Sequence, residues 1–421
     1  MKILIIGGGG REHAIGWKLK QNPDVKLYFA PGNGGTTEIG ENIKINVDEI
    51  QKLADYAEKN YINMTVVGPE LPLTLGVSDE FNRRGLRIFG PGAQGAKLEG
   101  SKAFAKQFMK KYGIPTARYE TIANINDGLA LIKQHNFPLV IKADGLAAGK
   151  GVIICESQNE AKAVLTDIFI ENKFGDAGSL VVIEEFMTGN EVSLLCFTDG
   201  ETILPMETAS DYKRALDNDM GENTGGMGSI SPSPFYTPGL GDDIANKTLE
   251  GIIKEKIDYR GVIYIGLMLT PDGPKVLEYN VRFGDPETQA LLPRLETDLV
   301  QIMDAVIDKR LSKCVLNWSS EKSICVIIAS EGYPGTFETG CPIEIPEDKL
   351  SLIFHAGTSI NDDVVCNMIH ECSKKIKTSG GRVLSVTATG ESFKETREIV
   401  YNDINKINFK GKSYRTDIGV E

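Results

Sequence analysis

Leu277-Glu278-Tyr279-Asn280-Val281-Arg282-Phe283-Gly284-Asp285-Pro286-Glu287-Thr288 begins as a strand. Side chains alternate faces along a strand, so Glu278, Asn280 and Arg282 share one face. A salt-bridged, exposed strand is the plainer alternative, and it fits the asparagine poorly because asparagine is a poor strand former. Carboxylate and amide oxygens are hard donors that suit Mg²⁺ or Mn²⁺, and Mg²⁺ usually keeps waters and nucleotide phosphates as further ligands. Glu278 and Asn280 are therefore the candidate metal ligands. Arg282 beside them can hold a transferring phosphoryl group or a substrate carboxylate by its fork.

Three segments upstream carry compatible chemistry. Val140-Ile-Lys-Ala-Asp-Gly-Leu-Ala-Ala-Gly-Lys-Gly-Val152 is not a Walker A loop. Only three residues separate Gly145 from Gly149, and glycine rather than Ser or Thr follows Lys150. It reads as a hairpin whose glycine turn closes over phosphates, with Lys142 and Lys150 as point charges. A surface hairpin with solvated lysines is the plainer alternative. In Val181-Val-Ile-Glu-Glu-Phe-Met187 an apolar strand ends in two acids and an aromatic, with Glu191 beyond. Such a strand end can pair with an adenine edge while Glu191 accepts ribose hydroxyls, although acids after a strand are usually solvated. Residues 211–233 are expected to form one long glycine-rich loop. Loops of that length are usually functional or disordered, and such segments commonly order on a ligand.

Residues 2–93 alternate short apolar runs with amphipathic stretches, which predicts a parallel sheet with helices on both faces. Ligands bind at the carboxyl ends of such strands, here the loops at Gly7–Gly10, Pro31–Gly35, Gly68–Leu73 and Gly90–Gly92. The first loop feeds glycines into a helix start, a geometry that suits a phosphate. Glu12 or His13 stands where a dinucleotide fingerprint needs its third glycine, and Ala30-Pro31 replaces the acidic ribose ligand. A nicotinamide site, a purely structural turn and a site for another phosphate all remain open readings. Ser101 is a plausible N-cap of a helix to Tyr112, and Gly113 and Pro115 stop it, which marks a domain boundary. Residues from 322 onward are strand-rich.

The chain has 421 residues, enough for two to three domains. Lys plus Arg is 46 and Asp plus Glu 58, a net charge of -12. No long basic run is present, so nucleic acid and anionic membrane surfaces are poor partners. The longest apolar stretch, Val262 to Leu269, falls far short of the ~20 residues of a membrane helix. Seven scattered cysteines read as reduced thiols of a cytoplasmic protein. Glycine is in excess, 45 against about 30 at the ordinary share of ~7%. Monomer and homodimer are not distinguished by these features.

Together the fragments resemble the ATP-grasp superfamily. Ala143-Asp-Gly-Leu-Ala-Ala-Gly-Lys-Gly151, Asn223-Thr-Gly-Gly-Met-Gly228 and Arg282-Phe-Gly-Asp-Pro-Glu-Thr-Gln289 narrow the resemblance to the phosphoribosylamine–glycine ligase family. It covers essentially the whole chain. The resemblance implies an N-terminal α/β substrate domain over 1–100 and an ATP-grasp domain over 101–320. A small lid subdomain falls at about 115–188, and an α+β C-terminal domain covers 321–421. It implies that ATP phosphorylates glycine and that the amine of 5-phosphoribosylamine attacks the glycyl phosphate. Lys102 and Lys142 would contact the nucleotide. Glu184, Glu185, Phe186, Met187 and Glu191 would frame the adenosine. Asp211, Lys213 and Asn223 would lie near the phosphates or glycine. Arg282 and Asp285, with Lys150, would act where glycine meets the γ-phosphate. Gly9, Asn33 and Glu70 would face phosphoribosylamine. One departure matters: many superfamily members carry an acidic metal ligand on the preceding strand, and Gly266-Leu-Met-Leu269 has none. With the chain ending at Glu421, a monofunctional enzyme is expected.

Three alternatives make different predictions. Another carboxylate-activating ATP-grasp enzyme, such as a biotin-dependent or purine-pathway carboxylase, would release ADP with bicarbonate and no glycine. An oxidoreductase would bind a nicotinamide cofactor at the Gly7 loop. A nucleotide sensor would bind ATP without turnover, and the Glu278/Asn280/Arg282 face argues against it.

Overall fold

The computed structural model describes residues 1–146, 151–360 and 376–420. Five parallel strands form the N-terminal sheet, in the order Gly40–Asn42, Lys26–Pro31, Lys2–Gly7, Met64–Val67, Ile88–Phe89. Ile3 to Ile6 are wholly buried at its centre, as befits a parallel strand covered on both faces. From this central strand the chain winds first to Lys26–Pro31 on one side and later to Met64–Val67 on the other. That reversal opens a crevice at the carboxyl ends, beside Gly7 and Gly68.

The middle of the chain folds into two antiparallel four-stranded sheets. One is ordered Tyr119–Ile122, Val181–Glu185, Leu139–Ala143, Val152–Cys155. Lys142 pairs with Val152, so the expected hairpin is present, while Lys150 of its turn lies outside the described residues. The other sheet is ordered Ile203–Pro205, Asn190–Thr198, Gly261–Thr270, Gly273–Asn280. Gly266 pairs with Glu278 and Leu267 with Val276, which leaves Leu277 as a bulge. The bulge breaks strict alternation: Val276 and Tyr279 are core residues, and Glu278 and Asn280 line a cavity. Helix Lys102–Lys111 starts at Ser101, whose side chain accepts the Phe104 N–H, and buries Ala105, Phe108 and Met109.

The C-terminal sheet corrects one expectation. Its order is Ser210–Asp211, Gly228–Ser231, Lys322–Ser330, Arg382–Gly390, Leu352–His355, with Lys412–Ser413 paired to Lys322–Ser330. The segment expected as one long loop thus supplies two strands and, between them, the hairpin Arg214–Leu216 with Met220–Asn223. Ile230 and Tyr212 pack with Ile324 and Ile418 and give it an apolar anchor. Helix Leu299–Ile307 buries seven of its nine residues.

Candidate active site

A cavity of ≈ 430 Å³ lies between the two middle sheets and reaches the N-terminal crevice. One end is lined by Lys102, Lys106, Lys142 and Lys213. Glu184, 2% exposed, sits between Lys106 at 3.1 Å and Lys142 at 2.9 Å. Burial lowers Lys106 to about 8 despite that carboxylate. Lys106 also donates to the Thr116 hydroxyl. Lys102 donates to the Gly145 carbonyl at 3.2 Å. Asp144 fixes the start of this helix by accepting the Ser101 hydroxyl and the Ala103 N–H.

Glu278 faces this cluster from the opposite sheet. Burial alone would raise its carboxyl, but Lys213, Lys142 and Lys102 outweigh that and hold it below its ordinary value. Lys213 is bonded to Glu191. Asp211 beside it is pushed up to about 7, chiefly by burial; Glu287, Glu191 and Glu278 add to the rise and Lys213 opposes it. Glu287 accepts from the Tyr264 hydroxyl at 2.7 Å. The Asn280 side-chain oxygen accepts from Arg282 at 3.1 Å.

Arg282 is not a free fork. Its guanidinium pairs with Glu99 at 2.8 Å and Glu70 at 3.3 Å, and donates to the Phe283 carbonyl. Burial raises Glu99, and Arg282 opposes it. Asp285 lies beyond, 3.3 Å from Arg382 and bonded to Gln289 at 2.8 Å. Burial would raise Asp285, yet Arg382 and Arg11 hold it low.

The Gly7–Gly10 turn meets this end, because a Cβ on Gly9 would lie 3.5 Å from Asp285 Oδ2. The Gly9 N–H donates to Glu12, which is buried and whose carboxyl is raised by that burial. A carboxyl there competes with a phosphate for the same donors. Gly68 is required opposite it, since a Cβ would fall 1.9 Å from Glu12 Oε1. Arg11 links Gly68 to Gly284 through their carbonyls.

Of the residues singled out from the sequence, Glu70, Lys102, Lys142, Glu184, Asp211, Lys213, Glu278, Asn280, Arg282 and Asp285 line one cavity. Others lie elsewhere. Asn33 uses its amide inside the N-terminal loops, donating to Gly8 and His355 carbonyls and accepting from Gly35 and Thr36. Glu185 pairs with Arg118. Met187 is buried beside Ala117 and Met268, and Phe186 is 39% exposed. Asn223 is exposed at the hairpin's end, while Thr224 and Gly225 reach the cavity. Sequence reasoning missed Lys106, Glu99, Arg11 and Glu287. Lys106 had a readable signal: it stands four residues after Lys102, on the same helix face.

Among the described residues, no group of three or more His, Cys, Asp or Glu is placed to hold a metal ion. Glu278 and the Asn280 amide form a two-oxygen set, with Gly266 rather than an acid opposite Glu278. Such a set fits Mg²⁺ if phosphates and waters complete the shell.

The chain was compared with known proteins. Models of phosphoribosylglycinamide synthetase match along its length: the N domain over residues 1–99, the ATP-grasp (A) domain over 100–288 and the C domain over 323–421. A phosphoribosylamine–glycine ligase of Caldanaerobacter subterraneus is 49% identical over 99% of both chains. The trifunctional purine biosynthetic protein adenosine-3 of Gallus gallus is 47% identical over 99% of this chain and 42% of its own length. The crystal structure of the Thermotoga maritima phosphoribosylamine–glycine ligase superposes with a TM-score of 0.85 at 37% identity, covering 99% of this chain and all of the other. Biotin carboxylase from Campylobacter jejuni, at 12% identity and a TM-score of 0.72 over 98% of this chain and 92% of its own, shares the fold. The chain therefore belongs to the phosphoribosylglycinamide synthetase family, a family of ATP-grasp ligases.

Proposed function

We propose that this chain joins glycine to 5-phosphoribosylamine at the expense of ATP, giving glycinamide ribonucleotide, ADP and phosphate. A glycine carboxylate is a poor electrophile until one oxygen becomes a good leaving group. Its oxygen attacks the γ-phosphorus and ADP departs. The amine nitrogen then attacks the acyl carbon, loses a proton, and phosphate leaves with the C–O bond. Phosphoryl transfer asks the protein for positioning and charge neutralisation rather than for a nucleophile.

One observation carries the reading. Four lysines, Lys102, Lys106, Lys142 and Lys213, surround one end of a single cavity, and Arg282, Asp285 and the Gly9 turn meet at the other. In this reading Lys102 and Lys142 neutralise the nucleotide phosphates, with Lys150 of the glycine turn as a third charge. Glu185, Phe186, Met187 and Glu191 frame the adenosine. Glu184 holds Lys142 and Lys106 rather than the nucleoside. Glu278 and Asn280 would hold Mg²⁺ or Mn²⁺, which supplies Lewis-acid charge neutralisation when bound. Arg282, held by Glu70 and Glu99, presents its remaining face to glycine beside Asp211 and Lys213, with the exposed Asn223 at the hairpin's end leading into the Thr224–Gly225 edge of the cavity. Gly9, Asn33 and Glu70 shape the phosphoribosylamine side. We divide the chain at about residues 100 and 320, with the lid near 115–188. Cys155, Cys196, Cys314, Cys325 and Cys341 are free thiols, which suits a reducing cytoplasm.

The test is ADP and phosphate release with ATP and Mg²⁺, omitting glycine and phosphoribosylamine in turn. Release that needs glycine supports the reading. Release with bicarbonate in place of glycine refutes it and favours a carboxylase.

A further inference from the structure

Arg382 opens the strand Arg382–Gly390 of the C-terminal sheet, where a register shift against Ala329 interrupts the ladder. Bulges next to active sites commonly re-aim a side chain. Here the guanidinium leaves its own sheet and enters the cavity. One nitrogen donates to the carbonyls of Gly225 at 2.6 Å, Asp285 at 2.9 Å and Gly226 at 3.4 Å. The other lies 3.3 Å from Asp285 Oδ2. Tyr333 completes the grip, its hydroxyl accepting the Gly225 N–H at 3.0 Å. Gly225 is thus held by both its N–H and its carbonyl, while Pro286 lies against Gly226, where a Cβ would come within 2.5 Å of its ring. Gly381 admits the Tyr333 ring, which a Cβ would meet at 2.3 Å.

We propose that Arg382 is a positioning residue for acyl transfer, through which the C-terminal sheet locks the Gly225–Gly226 loop to Asp285. The inference rests on the ligase reading above. A chain that binds ATP between two sheets can form an acyl phosphate without this contact. It needs the contact to keep Asp285 and the glycine loop closed around that acyl phosphate. With the contact loosened, water replaces the amine: its oxygen attacks the acyl carbon, the C–O bond to phosphate breaks, and glycine and phosphate are released. ADP is then produced without product.

The experiment uses the full chain and measures kcat, the KM of each substrate, and ADP formed per glycinamide ribonucleotide. For Arg382→Met, product kcat falls ~10-fold or more, as loss of charged hydrogen bonds implies. The ATP KM stays within about threefold and the ADP-to-product ratio climbs from one to above ~2. Arg382→Lys restores little, because a point charge cannot span three carbonyls and a carboxylate. Tyr333→Phe removes one hydroxyl and raises the ratio to a smaller extent, which keeps the test decisive if Arg382→Met fails to fold. A ratio of one in the variants, whether kcat is kept or falls in step with thermal stability, overturns the proposal. Wild-type protein inactive with glycine and phosphoribosylamine overturns the ligase reading itself.

Discussion

Replacing Glu184 by glutamine removes the one carboxylate between two buried ammonium groups. Lys106 is 2% exposed and stands 3.1 Å from a Glu184 oxygen. With charge centres roughly 4 Å apart, the attraction is about 4 kcal/mol at an effective dielectric of ~20. That equals about three pKa units. Lys106 already sits at about 8 through burial, so the variant brings it to roughly 5. An unfolded lysine holds its proton up to about pH 10.4. Between the two values the unfolded chain binds one more proton than the folded one, and stability rises with pH. In wild type that window begins near pH 8; in Glu184→Gln it begins near pH 5. The variant is therefore less stable by about 3 kcal/mol at pH 6, by under ~1 kcal/mol at pH 8, and by almost nothing through this pair at pH 9. Urea unfolding of both proteins from pH 6 to 9 reads the difference directly. A deficit that does not change with pH refutes the reasoning. Lys142 loses its 2.9 Å partner as well, so the ATP KM is expected to rise ~10-fold even where stability has recovered.

Glu278→Ala is expected to abolish ADP release with all substrates present, by at least ~10²-fold, while the protein still folds and unfolds cooperatively. Retained turnover, or unchanged Mg²⁺ binding by calorimetry in the presence of nucleotide, sinks the metal assignment. His13 and His355 are buried and held to about 3 and about 4, chiefly by burial, and His13 Nδ1 accepts the His355 backbone N–H at 2.9 Å. Both bind protons in the unfolded chain below about pH 6.5, so stability is complete above that pH and is lost as it falls, about 2 kcal/mol per histidine by pH 5. His13→Gln should flatten the stability–pH slope in that window by about half, and an unchanged slope counts against it. Gly226→Ala must carry a side chain at φ +106° against Pro286, a strain of ~1–3 kcal/mol. Ligation should fall ~10-fold or more, and full kcat in that variant contradicts the account of the loop.

Much of the fold was readable because it rests on local periodicity. Lys2–Gly7, Lys26–Pro31 and Met64–Val67 are apolar runs separated by helical stretches, and that alternation forces a parallel sheet. Alternation along Gly273–Asn280 placed Glu278 and Asn280 on one face, and the bulge at Leu277 starts just before them and leaves that pair intact. The segment 211–233 was opaque because strands of two to four residues cannot display a period of two, and its glycines and acids mimic a loop.

The sequence by itself determined the layered α/β start, the lysine-bearing hairpin, the family, and the facing of Glu278 and Asn280. These follow from backbone period and from motifs in which chemistry and spacing are contiguous. Tertiary structure decided who neutralises whom. Arg282 meets Glu70 across 212 residues of chain, and Arg382 reaches Gly225 across 157. Asn33 is turned inward to the Gly8 and His355 carbonyls rather than toward the cavity. Such pairings depend on which distant strand ends are buried together, where an unpaired charge is costly, and no local pattern encodes that choice.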